Sequence, residues 1–168
     1  MMCGMELRLT TSYNASPEEV FAIITDATFQ EQVCERTRAL SYDVSVDRAN
    51  DDTVVRIREM PGTGVPEIAK RLVGRRLVME QTRIWHPALP DGAREGDIEG
   101  RIADAPVRVL GRTRLVPEGE ATIESIELTV ASSVPVIGKR LERVAADTVS
   151  LGLNTKFEVA WSWLAGAL

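Results

Sequence analysis

The sequence predicts an α+β fold: a curved antiparallel sheet of about six to seven strands wrapped on one long C-terminal helix. Three observations predict it. Most segments between the N-terminus and Ala131 alternate apolar and polar residues with period two. Two short helical segments follow the first strand. The last third, Ser133 to Leu164, has its only proline, Pro135, at its start. At about 1.5 Å per residue it makes a helix of roughly 45 Å. Consecutive strands joined by turns, with the helices kept apart, give an antiparallel sheet. A twisted sheet of that width curls, and the long helix covers its concave face.

The first strand is Glu6 to Tyr13, with Leu7, Leu9, Thr11 and Tyr13 on one face. Ser16-Pro17-Glu18-Glu19 then starts a helix: Ser16 caps it, Pro17 suits its first position and Glu19 completes a capping box. Val20, Phe21, Ile23, Ile24 and Ala27 supply its apolar face. Asp26 to Thr28 breaks it, and a second short helix runs from Phe29 to about Glu35. From Arg38 the period returns to two, with Leu40, Tyr42, Val44 and Val46 on one side. Ala49 to Asp52 is a turn, and Thr53 to Met60 returns as the second arm of a hairpin.

The stretch from Pro61 to Pro66 interrupts the sheet. Glu67 to Val73 reads as a short helix carrying Ile68, Leu72 and Val73, with Gly74 as its C′ residue. Arg76 to Trp85 is a strand whose two faces are both partly apolar, so periodicity leaves its facing open. A turn-rich loop, His86 to Gly92, leads to strands Glu95–Ala103, Val107–Leu115 and Thr122–Ala131, the last with Ile126, Leu128 and Val130 inward. The long helix closes the chain. Its expected stripe is Ile137, Leu141, Val144, Thr148, Leu151, Gly152, Thr155 and Val159. Thr148, Gly152 and Thr155 thin out the centre of that stripe, where a packed core calls for larger apolar groups. A long helix with a thinned centre, laid across a sheet, predicts a hollow.

The 168 residues fit one domain, 1–168, with one sizeable core. Apolar residues make up 44% and charged residues 27%, as in ordinary globular chains. A net charge of −5 argues against nucleic acid and anionic membrane surfaces as partners. Arginine outnumbers lysine seventeen to three, an excess that suits anion binding but is read as a codon bias. No apolar run is long enough to span a membrane. Met1 to Met5 lacks the basic and apolar regions of a secretory signal, so a cytoplasmic protein is expected. Cys3, Cys34 and the lone His86 match no common zinc pattern, and no cofactor is expected.

The combined pattern resembles the helix-grip superfamily of START domains, birch-pollen allergens and polyketide cyclases, in an uncharacterised branch of it. Ser16-Pro17-Glu18-Glu19-Val20-Phe21 carries the resemblance at the first helix. Trp85 carries it at a strand end, Pro106-Val107 and Gly111 in the later strands, and Val134-Pro135-Val136-Ile137-Gly138-Lys139-Arg140-Leu141-Glu142 at the last helix. The resemblance implies a cavity between helix and sheet for lipids, sterols, polyketides or other apolar molecules. Members include carriers, sensors, cyclases and protein-binding modules, and fold alone does not choose among them.

A binding role places Tyr42, Ile57, Met79, Ile98, Leu128, Leu141, Thr148, Gly152 and Thr155 around the ligand. Gln81, Arg83, Trp85, Thr113 and Glu124 are the further candidates. Arg83 and Glu124, if both inward, would suit a cyclase that polarises a carbonyl and abstracts a proton; the alternative places them on the solvated outer face. His86 is expected on a loop at the cavity mouth or in solvent, and Cys34 as an inert thiol. The row Arg108, Arg112, Arg114 is expected on the outer face, paired with Glu95, Asp97 and Glu99. Trp161 and Trp163 either pack on the first helices or form a homodimer patch.

Overall fold

In a computed structural model describing residues 3–62, 67–73 and 77–166, seven strands form one antiparallel sheet. The chain runs β1 (Met5–Tyr13), α1 (Pro17–Ile24), α2 (Ala27–Arg36), β2 (Ser41–Ala49), β3 (Asp52–Met60) and α3 (Glu67–Val73). It continues through β4 (Met79–Trp85), β5 (Arg94–Ile102), β6 (Val107–Glu118) and β7 (Ala121–Ser132) to α4 (Gly138–Leu164). The sheet order is β1-β7-β6-β5-β4-β3-β2, so β1 closes onto the last strand and the hairpin β2–β3 forms the other edge. The sheet is curved, and with α4 it makes a helix-grip fold.

Local chemistry sets the elements. Ser16 caps α1, accepting from the Glu19 amide, while the Glu19 carboxylate accepts from the Ser16 amide at 2.8 Å. The Asp26 carboxylate caps α2 by accepting from the Phe29 amide at 3.0 Å. The turn between β2 and β3 puts Asn50 and Asp51 at φ 52° and 68°, a conformation that short polar side chains tolerate. The expected end of α3 at Gly74 lies outside the described residues.

Helix α4 starts later than the sequence suggests. Pro135 to Ile137 form a turn, with Val136 fully exposed at φ 68°. The buried Glu142 carboxylate accepts from the Ser132 amide at 3.1 Å and ties the helix start to the end of β7.

The buried face of α4 also differs from the expected stripe. Leu141, Ala145, Leu153, Lys156, Phe157 and Ala160 are buried, whereas Leu151 is 56% exposed. The expected stripe keeps close to the 3.6-residue period of a straight α-helix and stays on one side of it. The residues that face the sheet and cavity, Leu141, Ala145, Val149, Leu153 and Phe157, step by four, so the inward face rotates around α4 along its length.

The core divides along α4. Its C-terminal half, through Leu153, Phe157, Val159 and Ala160, packs with Tyr13, Val20, Ile24, Phe29, Leu115 and Ile126. Trp163 joins this packing edge-on to Phe29, with ring centroids 5.6 Å apart, and donates from Nε1 to Gln32 at 2.7 Å. Trp161 is 47% exposed and donates to the Ser12 carbonyl. Trp163 thus seals α4 against α2, while Trp161 stays half-exposed against the end of β1. No described helix is long and apolar enough to cross a membrane.

Candidate functional site

The N-terminal half of α4 stands away from the sheet. The side chains it turns inward are Leu141, Val144, Ala145, Thr148, Val149 and Leu153, mostly small, and β5 offers Gly100 below them. The space they leave is a cavity of about 300 Å³. Ile57, Met79, Ile98, Val109 and Leu128 form its apolar floor, and Gln81, Arg83 and Glu59 are polar wall residues.

Strand register explains this wall. Antiparallel pairing sets Ile57 opposite Gln81, Val55 opposite Arg83, and Arg83 opposite Ile98. The facing of β4, open in the sequence, is settled: Met79, Gln81, Arg83 and Trp85 point to the concave side with Val55 and Ile57.

Of the residues expected around a ligand, Ile57, Met79, Gln81, Arg83, Ile98, Leu128, Leu141 and Thr148 line the cavity. The others do not. Tyr42 is 37% exposed, and its hydroxyl donates to Glu35 at 2.8 Å, because the edge strand β2 leans against α2 beyond the cavity. Trp85 is 1% exposed and packs edge-on to Phe21, filling the core at the end of β4. Gly152 and Thr155 fall off the inward face of α4 because that face has rotated toward Leu153, Lys156 and Phe157 at their level. The Thr155 hydroxyl bonds the Leu151 carbonyl, and a Cβ at Gly152 would meet nothing within 4 Å.

Thr113 and Glu124 face inward but lie behind the wall, in a buried polar cluster. Glu124 is 0% exposed. One carboxylate oxygen accepts from Lys156 Nζ and from the Thr113 hydroxyl, the latter at 3.4 Å; the other accepts from the Tyr13 hydroxyl at 2.6 Å. Burial pushes the carboxyl up, but the Lys156 charge, its hydrogen bond, that of Tyr13 and the Arg83 field together hold it below the ordinary carboxylate range. Lys156 is pushed down to about 8, first by burial; the Glu124 charge opposes this and the Arg83 charge adds to it. Burial, then Glu124, raises the Tyr13 hydroxyl, which stays a neutral donor.

Arg83 stands between this cluster and the cavity. It is 5% exposed, and its Nε has no hydrogen-bond partner. Burial lowers its pKa, against the fields of Glu124 and Tyr13.

Arg83 and Glu124 thus both point inward. Glu124 is not a free base, however, since three donors occupy it and it does not reach the cavity wall. Sequence reasoning misses Lys156 and the Tyr13 hydroxyl. The available signal is Glu124 sharing parity with Ile126, Leu128 and Val130, because a buried carboxylate demands a counter-ion.

His86 is outside the cavity. Its ring nitrogens meet Asp52 at 3.1 Å and Asp97 at 3.0 Å, and these two hydrogen bonds, that of Asp97 foremost, raise its pKa. Cys34 is buried, and its thiol is pushed up to about 12, first by burial and then by Glu59. The arginine row lies on the outer face, with Arg114 pairing Glu95 at 2.9 Å and Arg112 near Asp97. No group of metal-ligating side chains occurs among the described residues.

Comparison with solved structures shows the same fold at low identity. The Zhui aromatase/cyclase from Streptomyces sp. R1128 superposes with a TM-score of 0.63 at 9% identity, over 97% of this chain and 94% of that one. A STAR-related lipid transfer protein from Xanthomonas axonopodis gives 0.61 at 15% identity, over 95% and 85%. The Thermus thermophilus protein TTHA0849 gives 0.64 at 17%, over 97% and 99%. The fold is that of the START and polyketide cyclase superfamily. Among curated proteins, the uncharacterized protein Rv0481c of Mycobacterium tuberculosis is 25% identical over 164 residues, covering 91% of this chain and 94% of its own length. A family profile matches residues 8–164, nearly the whole folded chain, and the protein belongs to that family, described as a protein of unknown function (DUF2505).

Proposed function

We propose that the protein is a carrier or sensor that holds a small apolar molecule in the cavity between the sheet and α4. The observation that carries this reading is the cavity itself: about 300 Å³ walled by side chains such as Ile57, Ile98, Leu128, Leu141 and Val149. Native interiors are otherwise packed to the density of organic crystals. A void of this size forgoes dispersion contacts that a guest supplies. The volume lies at the lower end of ligand sites, and a few polar groups in an apolar wall are what such sites use to fix orientation. The fold relatives named for lipid transfer and for aromatase/cyclase activity support a guest in this location. The free thiols Cys3 and Cys34 suit a reducing cytoplasm as its place of action.

The test fills the cavity. Thr148→Trp adds an indole to the helix wall, and N-phenylnaphthylamine fluorescence reports apolar occupancy. The variant is expected to keep its far-ultraviolet dichroism and lose probe affinity by about ten-fold or more. Equal probe affinity in the folded variant contradicts the reading.

A further inference from the structure

Two buried cations and one buried anion meet at the end of the cavity. Lys156 and Arg83 bring the positive charges, and Glu124 the negative one. Glu124 is committed to Lys156, Tyr13 and Thr113. One positive charge is therefore unmatched, and Arg83 is the residue that carries it. Among the described residues its Nε bonds nothing, and its guanidinium enters no salt bridge.

The other charged wall residues cannot supply the missing anion. Glu80 and Arg101 pair with each other. Glu59 sits opposite Met79, four residues along β4 from Arg83. At about 3.4 Å per residue that is roughly 14 Å along the sheet, too far for an ion pair. A buried guanidinium without a partner is costly to keep, and an incoming anion relieves that cost.

We infer that the guest is a monoanionic amphiphile, an apolar body ending in one carboxylate, and that the carboxylate pairs with Arg83. This rests on the cavity reading above and adds the chemical class of its occupant. A planar guanidinium matches a carboxylate through two parallel N–H···O bonds. One monoanion neutralises the site, whereas a phosphate dianion overshoots it. Apart from Gln81, Thr148 and the charged groups named above, the rest of the wall is apolar, so the body of the guest is mainly hydrocarbon. At about 30 Å³ per water-sized group the cavity takes roughly ten such groups. The site thus fits a medium-chain carboxylic acid.

Isothermal titration of the whole chain with decanoic acid, decanol and decylamine, each below its micelle concentration, tests this. The acid is expected to bind about ten-fold or more tightly than the alcohol, since a hydrogen bond to a charged group is worth that much. The amine binds most weakly. In Arg83→Met the difference between acid and alcohol disappears. Arg83→Lys keeps the preference for acid but narrows it, because the fork is lost. Acid and alcohol binding equally to the wild type overturns the inference and leaves the apolar carrier standing. No binding by any of the three contradicts the cavity reading itself. An acid preference that survives in Arg83→Met also overturns the inference. If Arg83→Met fails to fold, the wild-type ranking and Arg83→Lys still decide it.

Discussion

Replacing Glu124 by glutamine removes the only anion from the cluster at the end of the cavity. Lys156 and Arg83 then share a buried space with a neutral amide. Breaking a buried ion pair by deleting one partner costs about 3–5 kcal/mol. A domain is stable by about 5–15 kcal/mol in total, so Glu124→Gln is close to the limit of folding. Taking about 2 kcal/mol per molar for the urea slope, a loss of about 4 kcal/mol lowers the unfolding midpoint by about 2 M.

Lys156→Met is predicted to be milder, at about 1–3 kcal/mol, because Glu124 keeps the Tyr13 and Thr113 donors and the field of Arg83. The double variant recovers most of the Glu124→Gln loss, giving a large coupling energy. There is also a pH signature. Folded Lys156 releases its proton near 8, while the unfolded lysine holds it to 10.5. The unfolded state binds more protons in that window, so stability rises with pH there. The rise is absent from Lys156→Met. Urea unfolding of the four proteins in a thermodynamic cycle, at pH 7 and pH 9, measures all of this. A Glu124→Gln loss under about 1 kcal/mol, or Lys156→Met losing more than Glu124→Gln, refutes the charge accounting.

Two further predictions concern the frame around the site. His86, raised by Asp97 and Asp52, gives a contribution fully present below the unfolded histidine pKa and lost as pH rises through the folded value. With 43% of the side chain exposed, that contribution is under about 1 kcal/mol, and His86→Gln flattens this part of the thermal-stability profile against pH. Gly111 permits β6 and β7 to approach: a Cβ there would stand 2.0 Å from the Glu127 carbonyl oxygen. Gly111→Val is therefore expected to cost about 1–3 kcal/mol in urea unfolding, and a neutral result would show that the sheet relaxes freely at that point.

What the sequence discloses follows from where its signals are strong. Period-two alternation in β1 and β7 is unambiguous, so Tyr13, Ile126 and Leu128 are assignable to the concave face. The Ser16–Glu19 box locates α1 because capping is a local interaction. Strand β4 is opaque, since Ile84 and Thr82 on one face look as buried as Met79 and Gln81 on the other; only pairing with β3 orients it. The inward face of α4 is misread because the face that meets the sheet rotates along its 27 residues, whereas the stripe read from the sequence stays on one side of the helix. That same rotation hides Lys156, which sits on the face that meets the sheet. Tyr42 is misplaced for a different reason: alternation says which residues share a face, but not that an edge strand runs past the end of the cavity and onto α2. Charge pairing between β7, β4 and α4 is non-local, and no spacing along the chain encodes it.

Whether the space under α4 is a binding site is addressed most directly by native mass spectrometry of the protein purified from its own host, followed by organic extraction of whatever travels with it. The expected result is a stoichiometric adduct of a medium-chain acid or similar amphiphile, displaced in Thr148→Trp. A clean mass of the bare chain, with no thermal stabilisation by apolar acids, alcohols or polyketides, would contradict a binding role for the cavity.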